Sequence, residues 1–432
     1  MRRRNFLSQT AKGLVGSLGL SQLAFSSRAA TRTLPNFSQL SPAEESYWSL
    51  VRDQFPLTRS RIYLNNGGLG PSPYVVLDTV KRKSDELEKI SEGGHSAELW
   101  QTVKKSCASI FNSKPEEIAY TRNATEGINI VCNGLPLQRG DEIITSSHEH
   151  VGNIFAWLGR QKRDGIKIKV FEPSMTSVQE NLDRIEKLIT PRTRVFSIMH
   201  VSTATGQIFP LEEIGKLAEK HKIWFFVDGA QAAGTVPIDV EKIGCHAYAT
   251  SGHKWLLGTK GTGLLYVKED MLDTIEAKWI GAYSNHGPFD LVKGTFSLNP
   301  TAQRYEYGTL NVPTFMGLGA AVDFLLSIGM DNVWARNLMM AKKLKDGIAA
   351  LDGVKDLSPS YENGHSSMIT FSIPGVNKSK VQGFLAKEYK LRTRGIYEGD
   401  LNGIRVSLHV YNSPQEVDTI LEGIAAARSL AG

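Results

Sequence analysis

The sequence predicts an α/β protein, with a mostly parallel central sheet, helices on both faces, and a smaller α+β domain after it. Three observations predict this. Between residues 117 and 228, short apolar runs alternate with amphipathic stretches of helical period. The run Ile223-Trp224-Phe225-Phe226-Val227 reads as a buried strand and ends in an acid, Asp228. From about Pro313 the pattern changes to long helices with isolated strands.

The length of 432 residues allows about two or three domains by the usual size prior. Apolar residues make up 41% and charged residues 22%, as in ordinary soluble globular proteins. The formal charge is +6, but residues 1–26 hold Arg2, Arg3, Arg4 and Lys12 and no acid. Most of the excess therefore lies in a segment that is not fold, and the charge does not point to nucleic acid. Arg3-Arg4-Asn5-Phe6-Leu7 resembles the twin-arginine export consensus. An uncharged run from Gly13 to Phe25 follows, with small residues at Ala24 and Ser26, as in a cleaved leader. That run is too short and too glycine-rich to span a bilayer, so no stable membrane insertion is expected. The alternative is a disordered basic terminus. Export by the twin-arginine machinery implies a periplasmic protein carried in folded form. The expected division is a signal peptide (1–26), an amino-terminal arm and helix (27–60), a large domain (61–312) and a small carboxy-terminal domain (313–432).

Ser41-Pro42-Ala43-Glu44 has the form of a capping box and predicts a short helix to about Val51. Tyr63-Leu64-Asn65-Asn66-Gly67-Gly68-Leu69-Gly70 reads as a strand entering a glycine-rich loop. Helices are expected over 73–91 and 97–111. Strands are expected at 117–121, 141–145, 167–171, 194–200, 223–227, 246–250 and 261–267, and helices over 178–189 and 211–221. Beyond these come helices at 313–328 and 332–351, a strand at 366–372, a helix at 378–389, a strand at 404–408, and a last helix opening at Ser413-Pro414.

Two stretches carry chemistry. Lys254, in Ser251-Gly252-His253-Lys254, lies between two apolar runs. Burial there disfavours the ammonium, as an amine nucleophile or Schiff-base lysine requires. A solvated loop lysine is the plain alternative. Asp228-Gly229-Ala230-Gln231 places a carboxylate at the carboxyl end of a core strand, where open α/β sheets take ligands. An acid that can hold a pyridinium nitrogen protonated, paired with an imine-forming lysine, is the pyridoxal phosphate arrangement. A third stretch, Asn123-Ala124-Thr125-Glu126, opens a helix after a strand and is either a plain N-cap or a phosphate site. His148-Glu149-His150 invites a metal reading, but no third ligand is evident. Cys107, Cys132 and Cys245 have no metal-ligand spacing and sit in apolar contexts.

Asp228-Gly229-Ala230-Gln231 followed by Ser251-Gly252-His253-Lys254 resembles the class V aminotransferase family of fold-type I pyridoxal phosphate enzymes, over about residues 63–412. The resemblance implies pyridoxal 5'-phosphate as cofactor and catalytic roles for Lys254, His150 and Asp228. It implies cofactor contacts from Ala124, Thr125, Thr203, Gln231, Ser251 and His253, with His150 stacked on the ring. Thr203 stands where many relatives have asparagine. Thr309, in Arg304-Tyr305-Glu306-Tyr307-Gly308-Thr309, matches a threonine that reaches the neighbouring subunit's phosphate, which implies a homodimer with shared active sites. Asn66 and Gly67 are expected near the substrate. Arg405 is expected on its carboxylate, with Arg392 and Arg394 as further candidates unless they form a solvated edge. Gly395-Ile396-Tyr397-Glu398-Gly399 holds no cysteine, unlike the matching loop of desulfurases. The chain is most similar to isopenicillin-N epimerase-like proteins. The expected activity is on the amino group of an amino acid or peptide-like metabolite, by transamination. The alternatives are epimerisation, carbon–sulfur lyase or desulfurase chemistry, and binding without catalysis.

Overall fold

The computed structural model describes Phe37 and residues 40–91, 97–362 and 364–431. The expected leader at 1–26 lies outside the described residues. The strands are β1 (Ile62–Tyr63), β2 (Ile118–Thr121), β3 (Glu142–Ser146), β4 (Lys167–Phe171), β5 (Thr193–Met199), β6 (Trp224–Asp228), β7 (Ala247–Ser251), β8 (Gly263–Val267), β9 (Asn285–Asp290), β10 (Thr295–Leu298), β11 (Lys355–Asp356), β12 (Met368–Ser372), β13 (Leu391–Arg392), β14 (Arg394–Ile396) and β15 (Gly403–Ser407). The helices are α1 (Glu45–Arg52), α2 (Tyr74–Ile90), α3 (Lys104–Ser109), α4 (Ala124–Gly134), α5 (Val151–Asp164), α6 (Val178–Leu188), α7 (Leu211–His221), α8 (Val240–Ile243), α9 (Val312–Ile328), α10 (Met330–Ala349), α11 (Lys378–Glu388) and α12 (Pro414–Ala427).

Among the described residues, the main sheet has seven strands in the order β2-β8-β7-β6-β5-β3-β4. All pairings are parallel except those of β8, which runs antiparallel to both β2 and β7. Strands β2, β3, β7 and β8 are buried at every position, because helices cover both faces of the sheet. Carboxyl ends of β2, β3, β5, β6 and β7 therefore converge on one edge, and the loops leaving them carry the candidate residues.

A second sheet, β11-β12-β15-β14, is antiparallel throughout. It packs against α10, α11 and α12 around Leu344, Ile369, Val406 and Ile420. The amino-terminal β1 pairs in parallel with β13, matching Tyr63 to Arg392, and Asn65 bridges to Ser407. These contacts carry the glycine-rich loop after β1 across to the second sheet. No single helix among the described residues is long and apolar enough to cross a membrane. The bent pair α9 and α10 passes that test only jointly, and α9 is largely buried in the core.

Several elements differ from expectation. Helix α1 starts at Glu45 rather than at Pro42, and Glu44 caps it without a side-chain hydrogen bond. The Ser41 hydroxyl instead accepts from the Ala43 amide, closing a turn one step earlier. The helix expected over 97–111 is a π-helical turn, Leu99–Val103, leading into α3. A hairpin, β9–β10, forms in a stretch for which no strand was expected. Its strands are almost wholly exposed, so they lack the apolar alternation that marks a half-buried strand.

Candidate active site

Asp228 ends β6 and is 5% exposed. The Ala230 amide donates to its Oδ1 at 3.0 Å. Burial pushes its pKa up, while the Ala230 amide and the nearby Lys254 ammonium pull it down. Gly229 follows because nothing larger fits, since a Cβ there would lie 1.8 Å from the Tyr248 ring. Beyond β7, the turn after Ser251 brings Lys254 to the same edge. Burial pulls the Lys254 pKa down to about 8. Asp228 opposes that shift, and Arg405 and Arg394 add to it.

Asn123 caps α4 by accepting from the Glu126 amide at 3.0 Å. The Ala124 N–H donates to the Ser251 hydroxyl at 3.1 Å. The helix N-terminus and Ser251 thus meet at one point, a donor set that suits a phosphate. Thr125 stands exposed at the same end. His150 caps α5, its Nδ1 accepting from the Gly152 amide at 3.1 Å. Burial first, and then Lys254, push its pKa to about 4, so the ring is neutral. His253 is likewise pushed to about 4 by burial.

Gln231 is held from both ends. The Trp255 indole donates to its Oε1 at 2.8 Å, and its Nε2 donates to the Gly67 carbonyl at 2.8 Å and to the Thr203 hydroxyl at 3.2 Å. Gln231, expected among the cofactor contacts, is thus engaged with the glycine loop and Thr203. Asn66 is fully buried and accepts from the Tyr411 hydroxyl at 3.2 Å. Its Nδ2 is buried with no partner among the described residues.

A cavity of about 310 Å³ joins these groups. Gly67, Ala124, Thr125, His150, Thr203, Asp228, Gln231, Ser251, His253, Lys254 and Arg394 line it. Four of the expected residues do not. Arg405 is 1% exposed, with Nη1 on the Thr203 carbonyl and hydroxyl and Nη2 on Asn65. Asn66 is fully buried, with its side chain on Tyr411. Arg392 turns to its neighbour's carbonyl at Thr393 and sits opposite Tyr63. Thr309 is on the exposed surface of this protomer. A larger open depression, about 1200 Å³, runs past Ile223 and Cys245 at the amino ends of β6 and β7. None of the expected residues lines it, and α/β sheets bind ligands at the opposite end. His148 pairs with Glu172 at 3.3 Å, and no metal-ligand cluster occurs among the described residues.

Sequence reasoning passed over Gly70, Trp255 and Glu398. Spacing could have found the last, which lies four residues after Arg394. The other two act through contacts between segments far apart in the chain.

The family model for aminotransferase class-V matches residues 62–420, which include every group lining the cavity. The chain belongs to the aminotransferase class-V family. Among relatives of this class V chain, a probable cysteine desulfurase of Pyrococcus abyssi is 29% identical over 388 residues, covering 86% of this chain and 95% of that one. A cysteine desulfurase of Salmonella agona is 30% identical over 407 residues, covering 88% and 98%. The apo cysteine desulfurase of Thermococcus onnurineus NA1 superposes with a TM-score of 0.79 at 28% identity, covering 88% and 97%. The cystine C–S lyase C-DES, in complex with its product cysteine persulfide, gives 0.78 at 28% identity, covering 86% and 99%. A lysine-to-alanine variant of C-DES holds glycine covalently linked to its pyridoxal phosphate cofactor.

The protein is a pyridoxal phosphate-dependent class V enzyme, and its cavity fits that group. The Ala124 amide and Ser251 suit the phosphate, Asp228 the ring nitrogen, the His150 ring a flat face, and the Lys254 amine an aldehyde.

Proposed function

We propose that this class V enzyme transaminates an amino acid or peptide-like metabolite, as an exported homodimer. The observation that carries the reading is Lys254, an amine with its pKa pulled down to about 8, in one cavity with Asp228 and Arg394. Pyridoxal phosphate, when bound, supplies an aldehyde that engages an amine and a ring that withdraws electrons. The Asp228 carboxylate, fixed by the Ala230 amide, keeps a proton on the ring nitrogen. The neutral His150 ring covers a flat face without adding charge. With the cofactor bound, Lys254 Nζ would take the proton from the substrate Cα and return it, on the same face, to the carbon that comes from the cofactor's aldehyde. Arg394, which lines the cavity, would meet the substrate carboxylate.

Transamination is favoured over epimerisation by the set of titratable groups in the cavity. Epimerisation by a two-base route needs a second acid on the opposite face. His150 and His253, both near pKa 4, are poor proton donors at neutral pH because they are already unprotonated. The likeness to isopenicillin-N epimerase-like proteins rests on sequence motifs alone.

Carbon–sulfur lyase activity is the second reading, supported by the desulfurase and C–S lyase relatives. None of the three cysteines lines the cavity, and all are buried. An enzyme-bound persulfide therefore has no acceptor thiol at the site. A lyase releasing its persulfide as a small molecule needs none. Incubation with amino donors and a 2-oxo acid, and separately with cysteine and cystine, decides between the readings. Transamination predicts a new amino acid and no sulfur release. Sulfur release without amino transfer would replace it by the lyase reading.

Support for the homodimer comes from the apolar surface around β9–β10. Trp279, Phe289, Leu291 and Val292 are 67%, 70%, 86% and 97% exposed. Light scattering should give twice the chain mass, with Thr309→Ala weakening cofactor retention. A monomer that is fully loaded would contradict it. For export, mature protein from the periplasm should begin near residue 27, and one retaining Met1 would contradict the leader.

A further inference from the structure

Glu398 has no role in the reading above, although it is 5% exposed and contacts a residue of the cavity wall. We propose that Glu398 is a specificity-determining residue that restricts the site to substrates with a single carboxylate. This rests on the reading of the site as one for an amino acid or peptide-like amine.

Arg394 on β14 stands directly opposite Arg405 on β15. Like charges at facing antiparallel positions repel at close range, so the pair needs an anion. Glu398 supplies one, as Arg394 Nη2 donates to its Oε1 at 2.7 Å. The ion pair is largely shielded, the two side chains being 19% and 2% exposed. Glu398 is also fixed in place. The Tyr397 amide donates to its Oε2 at 3.3 Å, and the Tyr397 ring lies 5.0 Å from the Arg394 guanidinium. Gly399, at φ 60°, presses so close to His148 that a Cβ there would lie 2.7 Å from the His148 ring. A larger residue at Gly399 would therefore displace this turn.

With Glu398 in place, the two guanidinium groups of this pair face one carboxylate, and the pair keeps an excess of one positive charge. Arg394 Nη1 is buried with no partner among the described residues, as is Arg405 Nε. Arg394 is the guanidinium that lines the cavity, so it is the one placed to meet a substrate carboxylate. A second acid on the substrate would stand beside Glu398 with no cation to balance it.

The test is calorimetric binding of two unreactive probes, propionate and succinate, to the cofactor-loaded protein at pH 8. Wild type should bind propionate and discriminate against succinate. Glu398→Gln should raise the succinate-to-propionate affinity ratio about tenfold or more. Glu398→Asp, which keeps the charge, should hold the wild-type ratio. Arg394→Gln should weaken propionate binding about tenfold. An unchanged ratio in Glu398→Gln, or the same shift in Glu398→Asp, overturns the proposal. If Glu398→Gln does not fold, a rise in the Glu398→Asp ratio or unweakened propionate binding by Arg394→Gln overturns it. Wild type that fails to bind propionate also overturns it. Turnover of an amine by wild type, scored separately, shows whether the functional reading survives.

Discussion

Gly70 lies directly against the backbone of Lys254. Its amide donates to the His253 carbonyl at 2.7 Å, and a Cβ on Gly70 would sit 2.1 Å from the Lys254 carbonyl oxygen. The glycine-rich loop is thus not a generic turn. It is the surface against which the lysine turn is set, and Lys260 ties it down by donating to the Gly70 carbonyl at 3.1 Å.

Gly70→Ala should therefore act on catalysis more than on the fold. The clash is with backbone, so either the loop or the lysine turn must move. A displacement of about 1 Å at a reacting group costs about 100-fold in rate, and overpacking costs about 1–3 kcal/mol of stability. Turnover and thermal unfolding of the variant check both.

The pH dependence of cofactor capture follows from Lys254. The free amine reacts and the ammonium does not, so capture by the apoprotein should rise with pH and level off above about 8. Asp228 raises the lysine pKa, and its replacement in Asp228→Asn should move the inflection to lower pH. The same variant should lose about 100-fold or more in turnover, a typical cost of removing a group that positions a proton. An inflection near the ordinary lysine value in wild type would contradict the burial argument.

Thiol chemistry should be silent. Burial pushes Cys107 and Cys132 up to about 12, and Cys245 higher still. Native protein at neutral pH should resist alkylation, and a Cys107→Ala, Cys132→Ala, Cys245→Ala variant should keep its turnover per folded molecule. Inactivation with one thiol alkylated would bring back a sulfur-carrying cysteine.

The sheet was legible because its strands are continuous apolar runs and its helices carry a clear period. β4 and α7 match their expected spans residue for residue. Lys254 and Asp228 were legible for a related reason, since each follows a core strand whose end the sequence marks. What was not legible depends on pairing between distant segments. β1 with β13, Arg394 opposite Arg405, and Gln231 against Gly67 bring together residues at least 11 apart in sequence. No local period encodes such contacts. The hairpin β9–β10 escaped because exposed strands lack the alternation that burial imposes.

The most direct test of the account is to reduce the cofactor-loaded protein with borohydride and map the modified peptide by mass. The account predicts one phosphopyridoxyl group on Lys254, absent in Lys254→Ala. A group fixed on another lysine, or no group fixed after addition of pyridoxal phosphate, would contradict it.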